Sequence, residues 1–163
     1  MSKTHQQAKV LVIGHGNTGR SDDGIGQEVA AAIGAWNLPA VRAIRVQQLL
    51  PELVEALAEA QEAIFVDADI GLAAGEVRVE DVVPLDRSSP FDHVIEPSGL
   101  LALVEALFGR HPAAWKVGIG VRDLSVGDSL SQIAQVAKAA AVERIELLLR
   151  TEAARTPLTR LPA

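Results

Sequence analysis

Three side chains able to hold a cation or move a proton, Asp23, Asp67 and His93, each stand just past an apolar, β-like run. In a parallel α/β sheet the segments after the strands open onto one edge, and ligand crevices form there. Groups far apart in the chain could therefore converge on one metal ion or one substrate. Each also has a plainer reading. Asp22 and Asp23 precede a helical apolar period, where a carboxylate serves as an N-cap and complements the helix dipole. Asp67 could cap a turn, and Asp69 competes with it for any functional role. His93 sits in a polar loop, where a lone histidine is commonly solvated.

The elements that must position these groups alternate between strand and helix. Lys9 to Ile13 is a β-branched run that ends in glycines, which reads as a buried strand entering a turn. Ile25, Val29 and Ile33 recur with helical period, and Gly34 and Pro39 mark the exit. Val41 to Val46 reads as a second strand. Leu49 to Ala60 reads as an amphipathic helix with Pro51 in its first turn. Ala63 to Val66 is a third strand that Asp67 ends directly. Glu76 to Val83 alternates apolar and charged residues, as an edge strand does. A polar loop, Pro84 to Pro97, leads into a helix opening at Pro97 or Ser98 and stopping at Gly109. Trp115 to Val121 is a fifth strand, and Ser129 or Ser131 caps a last helix reaching Leu149. These elements predict an α/β fold, a single three-layer α/β/α sandwich with a mainly parallel five-stranded sheet. One domain spanning residues 1–163 is expected, with its core over about 9–150 and a frayed tail at 151–163.

Composition narrows the partners. The chain has 163 residues, 48% of them hydrophobic, enough for one core that buries roughly two-thirds of the unfolded surface. A formal charge of −6 without a basic stripe argues against nucleic acid. No apolar run approaches the ~18 residues that span a bilayer, and the polar start, Met1 to Lys9, lacks a signal-peptide core. A cytoplasmic location and no membrane partner are expected. With no cysteine, thiolate nucleophiles, disulfides and Cys-ligated metals are excluded.

Gly14-x-Gly16-x-x-Gly19 matches the dinucleotide fingerprint after a strand. Three features oppose that reading. The apolar helical period starts only at Ile25, the second strand runs into Arg45, Gln47 and Gln48 rather than an acidic residue, and Asp22 and Asp23 would face a pyrophosphate.

The residues around this turn resemble a known family. Gly14-x-Gly16-Asn17 followed by Asp22-Asp23-Gly24-x-Gly26 is similar to the opening motif of the nickel–iron hydrogenase maturation endopeptidases. The similarity continues through Gln48-Leu49-x-Pro51-Glu52-Leu53, Phe65-Val66-Asp67-Ala68 and Gly75-Glu76-Val77. It resumes at His93, Pro97, Leu100-Leu101-Ala102-Leu103, Val117-Gly118-Ile119-Gly120 and Gly127-x-x-Leu130-Ser131, in order from about Lys9 to Leu149. The resemblance implies an endopeptidase that removes the C-terminal extension of a nickel-loaded hydrogenase large-subunit precursor. It also implies that Asp23, Asp67 and His93 are the metal contacts, and the same three are the expected catalytic set, although the resemblance does not establish which group activates the attacking water. Asp23 is a shorter variant where some members carry Glu. Nickel would be mainly substrate-borne, with another divalent ion possible as a surrogate, and the precursor would be the partner of a monomeric enzyme.

Two carboxylates and an imidazole suit a borderline divalent ion and leave coordination positions open for substrate or water. Such an ion polarises a peptide carbonyl or acidifies bound water, while a carboxylate could act instead as general base. Two other readings remain: a non-proteolytic, nickel-dependent precursor-binding chaperone, and a dinucleotide-binding protein using Gly14 to Gly19. Asn17 is either a turn residue or an amide that orients Asp23 or stabilises an oxyanion. His15 stands near the same edge, and Arg122 and Asp123 are candidates for a peptide-contacting rim.

Overall fold

Alternating apolar side chains put five strands into one sheet and leave both of its faces to be covered by helices. A computed structural model describes residues 9–86 and 95–155, with side chains as far as Thr151. The strands are β1 (Val10–His15), β2 (Val41–Val46), β3 (Glu62–Asp69), β4 (Val77–Val82) and β5 (Ala113–Gly120). The helices are α1 (Ile25–Gly34), α2 (Val54–Glu59), α3 (Pro97–Phe108) and α4 (Gln132–Arg155). The order across the sheet is β2-β1-β3-β5-β4; every pairing is parallel except β4 with β5. The mainly parallel five-stranded α/β expectation matches this arrangement.

Two apolar clusters flank the sheet. Val10, Val12, Ile64, Val66, Val117 and Ile119 pack against α1 and α4 through Ile25, Val29, Ala137 and Ile145. Leu11, Ile13, Ala63, Phe65 and Ala114 pack against α2 and α3 through Leu57, Leu100 and Val104. The two-residue period of a strand divides its side chains between these layers.

Glycine lets the first layer close. A Cβ on Gly26 would lie 2.3 Å from the Val66 carbonyl oxygen, and one on Gly14 would lie 1.9 Å from the Gly26 oxygen. The start of α1 therefore rides directly on β1 and β3. Gly109 ends α3 in the left-handed region at φ 70.

Several boundaries differ from expectation. The segment before α1 is a 3-10 turn, Ser21–Gly24, and Pro51–Leu53 forms another before a short α2. Asp67 does not end its strand: β3 runs on to Asp69, because its pairing with β5 continues to Asp69–Gly120. α4 runs beyond the expected Leu149 to Arg155. Arg150 pairs with Glu146 one turn back, a local contact that favours helix, and Thr151 Oγ1 donates to the Leu147 carbonyl. Among the described residues no helix is long and apolar enough to cross a membrane.

Candidate active site

Strand alternation decides what the cleft contains. The side that carries Leu11 and Ile13, Ala63 and Phe65, and Ala114 inward to α2 and α3 carries, two residues further on, His15, Asp67 and Lys116. Near the C-terminal ends of the parallel strands the apolar cover gives way to a cavity of about 620 Å³. His15, Asp23, Asp67 and Lys116 line it, with Glu80 of β4 and Glu96 before α3 among the groups around them.

Asp23 reaches the cleft because its turn is held from two sides. On the strand side, Asn17 N–H donates to Asp23 Oδ2 at 2.9 Å. Gly16, at φ 137, permits this approach, since a Cβ there would stand 1.9 Å from the Asp23 carbonyl oxygen. On the other side, Ser21 N–H donates to Gly127 O at 2.9 Å and Ser21 Oγ to Ser125 O at 2.9 Å. Asp22 completes the clamp. Its carboxylate accepts from Ser131 N–H at 2.7 Å, Ser131 Oγ at 2.9 Å and Asp123 N–H at 3.3 Å, and the residue is 1% exposed. Of two adjacent aspartates, Asp22 fastens the turn to the start of α4 and Asp23 is left to face the cavity. Asn17 is a turn residue whose Oδ1 accepts from Gly19 N–H at 2.9 Å; its backbone amide, not its side-chain amide, meets Asp23.

Burial sets the protonation of the cleft. It pushes the Asp67 carboxyl up from 3.8 to about 7, although the Lys116 charge pulls the other way; Asp23 and Asp69 add to the rise, and a hydrogen bond from the Ala68 backbone offsets part of it. It also lowers His15 from 6.5 to about 4, with the Lys116 charge adding and Asp23 opposing. His15 Nδ1 lies 3.7 Å from Asp67 Oδ1, too far for a hydrogen bond. An ion pair would need both charged, yet His15 loses its proton near 4 and Asp67 keeps its own until about 7. The two are neutral neighbours over that range. Among the described residues His15 Nε2 is buried with no hydrogen-bond partner.

These groups fit a divalent cation better than an anion. A desolvated carboxyl with little hydrogen-bond support exchanges its proton for a metal ion readily, because the cation supplies the missing counter-charge. Asp23 and Asp67 line the same cleft. His93 lies outside the described residues, although Ile95 to Ser98, which follow that segment, line the cleft. Among the described residues no three acidic or imidazole groups form a metal-holding cluster. Arg122 and Asp123, expected as a peptide-contacting rim, are not among the residues lining this cavity; Arg122 Nη1 donates to the Leu72 and Val121 carbonyls, and Asp123 accepts from Ser125. Lys116, with Glu80, Asp81 and Glu96, is among the cleft residues that sequence reasoning missed. Its signal was a single ammonium within an apolar strand between Trp115 and Val117.

No protein-family model and no curated protein matches the chain. Solved structures do. It superposes on the hydrogenase maturating endopeptidase HybD from E. coli with a TM-score of 0.72 at 22% identity, covering 88% of this chain and 93% of that one. A [NiFe] hydrogenase maturation protease HycI from Thermococcus kodakarensis gives 0.69 at 20% identity, covering 88% and 94%. A hydrogenase 2 maturation peptidase from a Thaumarchaeota archaeon gives 0.65 at 24% identity, covering 86% and 97%. The sheet order, the helical layers and these superpositions together establish that the chain has the fold of the hydrogenase maturation endopeptidases.

Proposed function

We propose that this protein is an endopeptidase that removes the C-terminal extension of a nickel-loaded nickel–iron hydrogenase large-subunit precursor. The observation that carries the reading is the placement of Asp23 and Asp67, from different loops and strands, on one cleft of about 620 Å³ at the C-terminal edge of the parallel strands. The ordered motif series and the likeness to structures named as maturation endopeptidases point the same way.

In this reading Asp23, Asp67 and His93 contact the nickel that the substrate brings. The ion is substrate, not a resident cofactor, and it tells the enzyme that insertion is complete. The two carboxylates supply oxygen donors and the imidazole a nitrogen, and the open cleft leaves room for the peptide. A carboxyl titrating near 7, as Asp67 does, can take a proton from water at neutral pH when it is not bound to the metal. No GxSxG elbow, HExxH pair or cysteine offers another peptidase mechanism.

Purified protein mixed with precursor should yield a shortened large subunit, read by mass spectrometry, only when nickel is loaded. Equal cleavage without nickel would remove the recognition role. Nickel-dependent capture without cleavage would favour the chaperone reading, for which the short Asp23 side chain is the motive. Tight NAD or FAD binding would favour the dinucleotide reading, which the carboxylates lining this cleft oppose.

A further inference from the structure

We propose that Lys116 is the hydrogen-bond donor that stabilises the oxyanion formed as the peptide is cleaved in this cleft. The assignment rests on the peptidase reading above and goes beyond its three metal contacts.

Lys116 interrupts the apolar run of β5 beside the fully buried Val117, and its cross-strand partners are Phe65 on β3 and Glu80 on β4, so holding an ammonium there carries a desolvation cost. The Lys116 side chain is only 32% exposed, yet among the described residues no carboxylate lies within hydrogen-bond distance of it. Its one ion pair among those residues places Asp69 Oδ2 at 3.9 Å. Other cations of the molecule are differently engaged. Arg78 meets Glu76 at 2.7 Å, Arg150 meets Glu146 at 2.6 Å, Arg122 meets the Leu72 carbonyl at 2.9 Å and Lys138 meets Glu28 at 3.4 Å. A lysine kept only as a counter-ion would close onto one of the acids around it. Lys116 instead faces the cavity as the sole Lys or Arg among its described lining residues.

Its position fits the reacting carbonyl. Lys116 pairs with Phe65 across β3 and β5, and Asp67, two residues after Phe65, pairs with Gly118, so the ammonium and the Asp67 carboxyl project from the same side of adjacent strands. Its charge is felt at both Asp67 and His15. A standing anion is a poor ligand here, because Asp23, Asp67, Glu80, Asp81 and Glu96 also line the cleft. Negative charge that exists only during reaction, on a carbonyl oxygen that enters neutral, is what a local ammonium stabilises without attracting an anionic ligand beforehand.

The step balances as simple hydrolysis. A water oxygen bonds to the carbonyl carbon and its proton passes to a cleft carboxylate. The C=O π pair moves onto the oxygen, which accepts a hydrogen bond from Lys116 Nζ–H. That pair returns as the C–N bond breaks, and the proton is delivered to the leaving nitrogen. One water is consumed, a carboxyl and an amine form, and Lys116 keeps its charge throughout.

The test compares K116M, K116Q and K116R with the unsubstituted protein on nickel-loaded precursor, following product by mass spectrometry and precursor binding by titration calorimetry. Circular dichroism reports folding, and K116Q keeps a polar side chain should K116M misfold. Loss of one oxyanion donor lowers kcat by about 10²–10³-fold. The expected result is that loss in K116M and K116Q, precursor binding changed only a few-fold, and partial recovery in K116R. The deficit should persist as pH rises, since a missing donor is not restored by ionising carboxylates. Unchanged kcat, a defect confined to KM, or full recovery at high pH would each overturn the assignment; the last would mean that Lys116 acts only through Asp67. Failure of the unsubstituted protein to cleave loaded precursor would overturn the peptidase reading, and this assignment with it.

Discussion

Asp22 and Asp67 belong to two regions that treat a carboxylate in opposite ways. At the junction of the Ser21–Gly24 turn with α4, the Asp22 oxygens accept three hydrogen bonds, two of them from Ser131, and the residue is shut away from water. At the cleft, Asp67 is desolvated without that support and its proton affinity rises to about 7. Saturated donors make an acid structural. Desolvation that a single backbone donor, Ala68, offsets only in part leaves its proton affinity raised. The same contrast separates Arg122, anchored to two carbonyls, from Lys116, whose ion-pair partner Asp69 stands beyond hydrogen-bond distance.

Four groups of measurements sharpen this contrast. The largest effect belongs to the cleft. Asp67→Ala and His93→Ala should each reduce precursor processing by at least about 10³-fold, roughly 4 kcal/mol of transition-state stabilisation, while thermal melts stay near the parent. Val66→Ala, one residue away in the core, should do the reverse, costing about 2 kcal/mol of stability. Normal processing by both cleft variants would disprove the site assignment.

Next in size, Asp22→Ala should cost about 3 kcal/mol in urea unfolding, since it strands the Ser131 and Asp123 donors. A stability equal to that of the parent would show that the junction does not hold the turn.

The pH dependence comes third. Folded Asp67 keeps its proton up to about 7 against 3.8 unperturbed, so stability from this group is present below 3.8 and is lost as pH rises through 7. Folded His15 loses its proton near 4 against 6.5, so its contribution is present above 6.5 and is lost as pH falls through 4. Between pH 4 and 6.5 the two slopes oppose each other. The parent should therefore show little pH dependence from this pair. Asp67→Asn should uncover stability rising with pH by about 2 kcal/mol across that window, and His15→Leu should uncover a fall of similar size. Urea titrations at several pH values read both slopes, and a flat profile in either variant would contradict a protonated Asp67 beside a neutral His15.

The smallest effect is that of His15→Leu at pH 6, between the two titrations, where the imidazole Nε2 is buried without a partner among the described residues. Removing that unpaired atom should raise stability by about 1 kcal/mol. A loss of stability instead would mean that the imidazole has an acceptor or donor in solution.

Much of the layer structure was legible because periodicity is local. The Val41–Val46 strand follows from its own residues, and so does α3 with its Gly109 stop. The boundaries that differed depend on partners. β3 runs to Asp69 because β5 extends beside it, and the 3-10 turn at Ser21–Gly24 exists because Gly127, Ser125 and Ser131 grip it from more than 100 residues away. In the site, Asp23 and Asp67 could be singled out as acids following apolar runs. The choice of Asp23 over Asp22 rested on the family resemblance alone, since adjacent residues of one type carry the same local signal.

The sequence by itself determined the chemistry on offer: carboxylate, imidazole and ammonium groups with no thiol, attached to strands whose alternation assigns each side chain to a face. Tertiary structure decided which of those groups meet. The order β2-β1-β3-β5-β4 sets β1, β3 and β5 side by side and so brings His15, Asp67 and Lys116 to one cleft. It also decided their protonation, because desolvation and charge coupling arise only when distant segments pack together and exclude water.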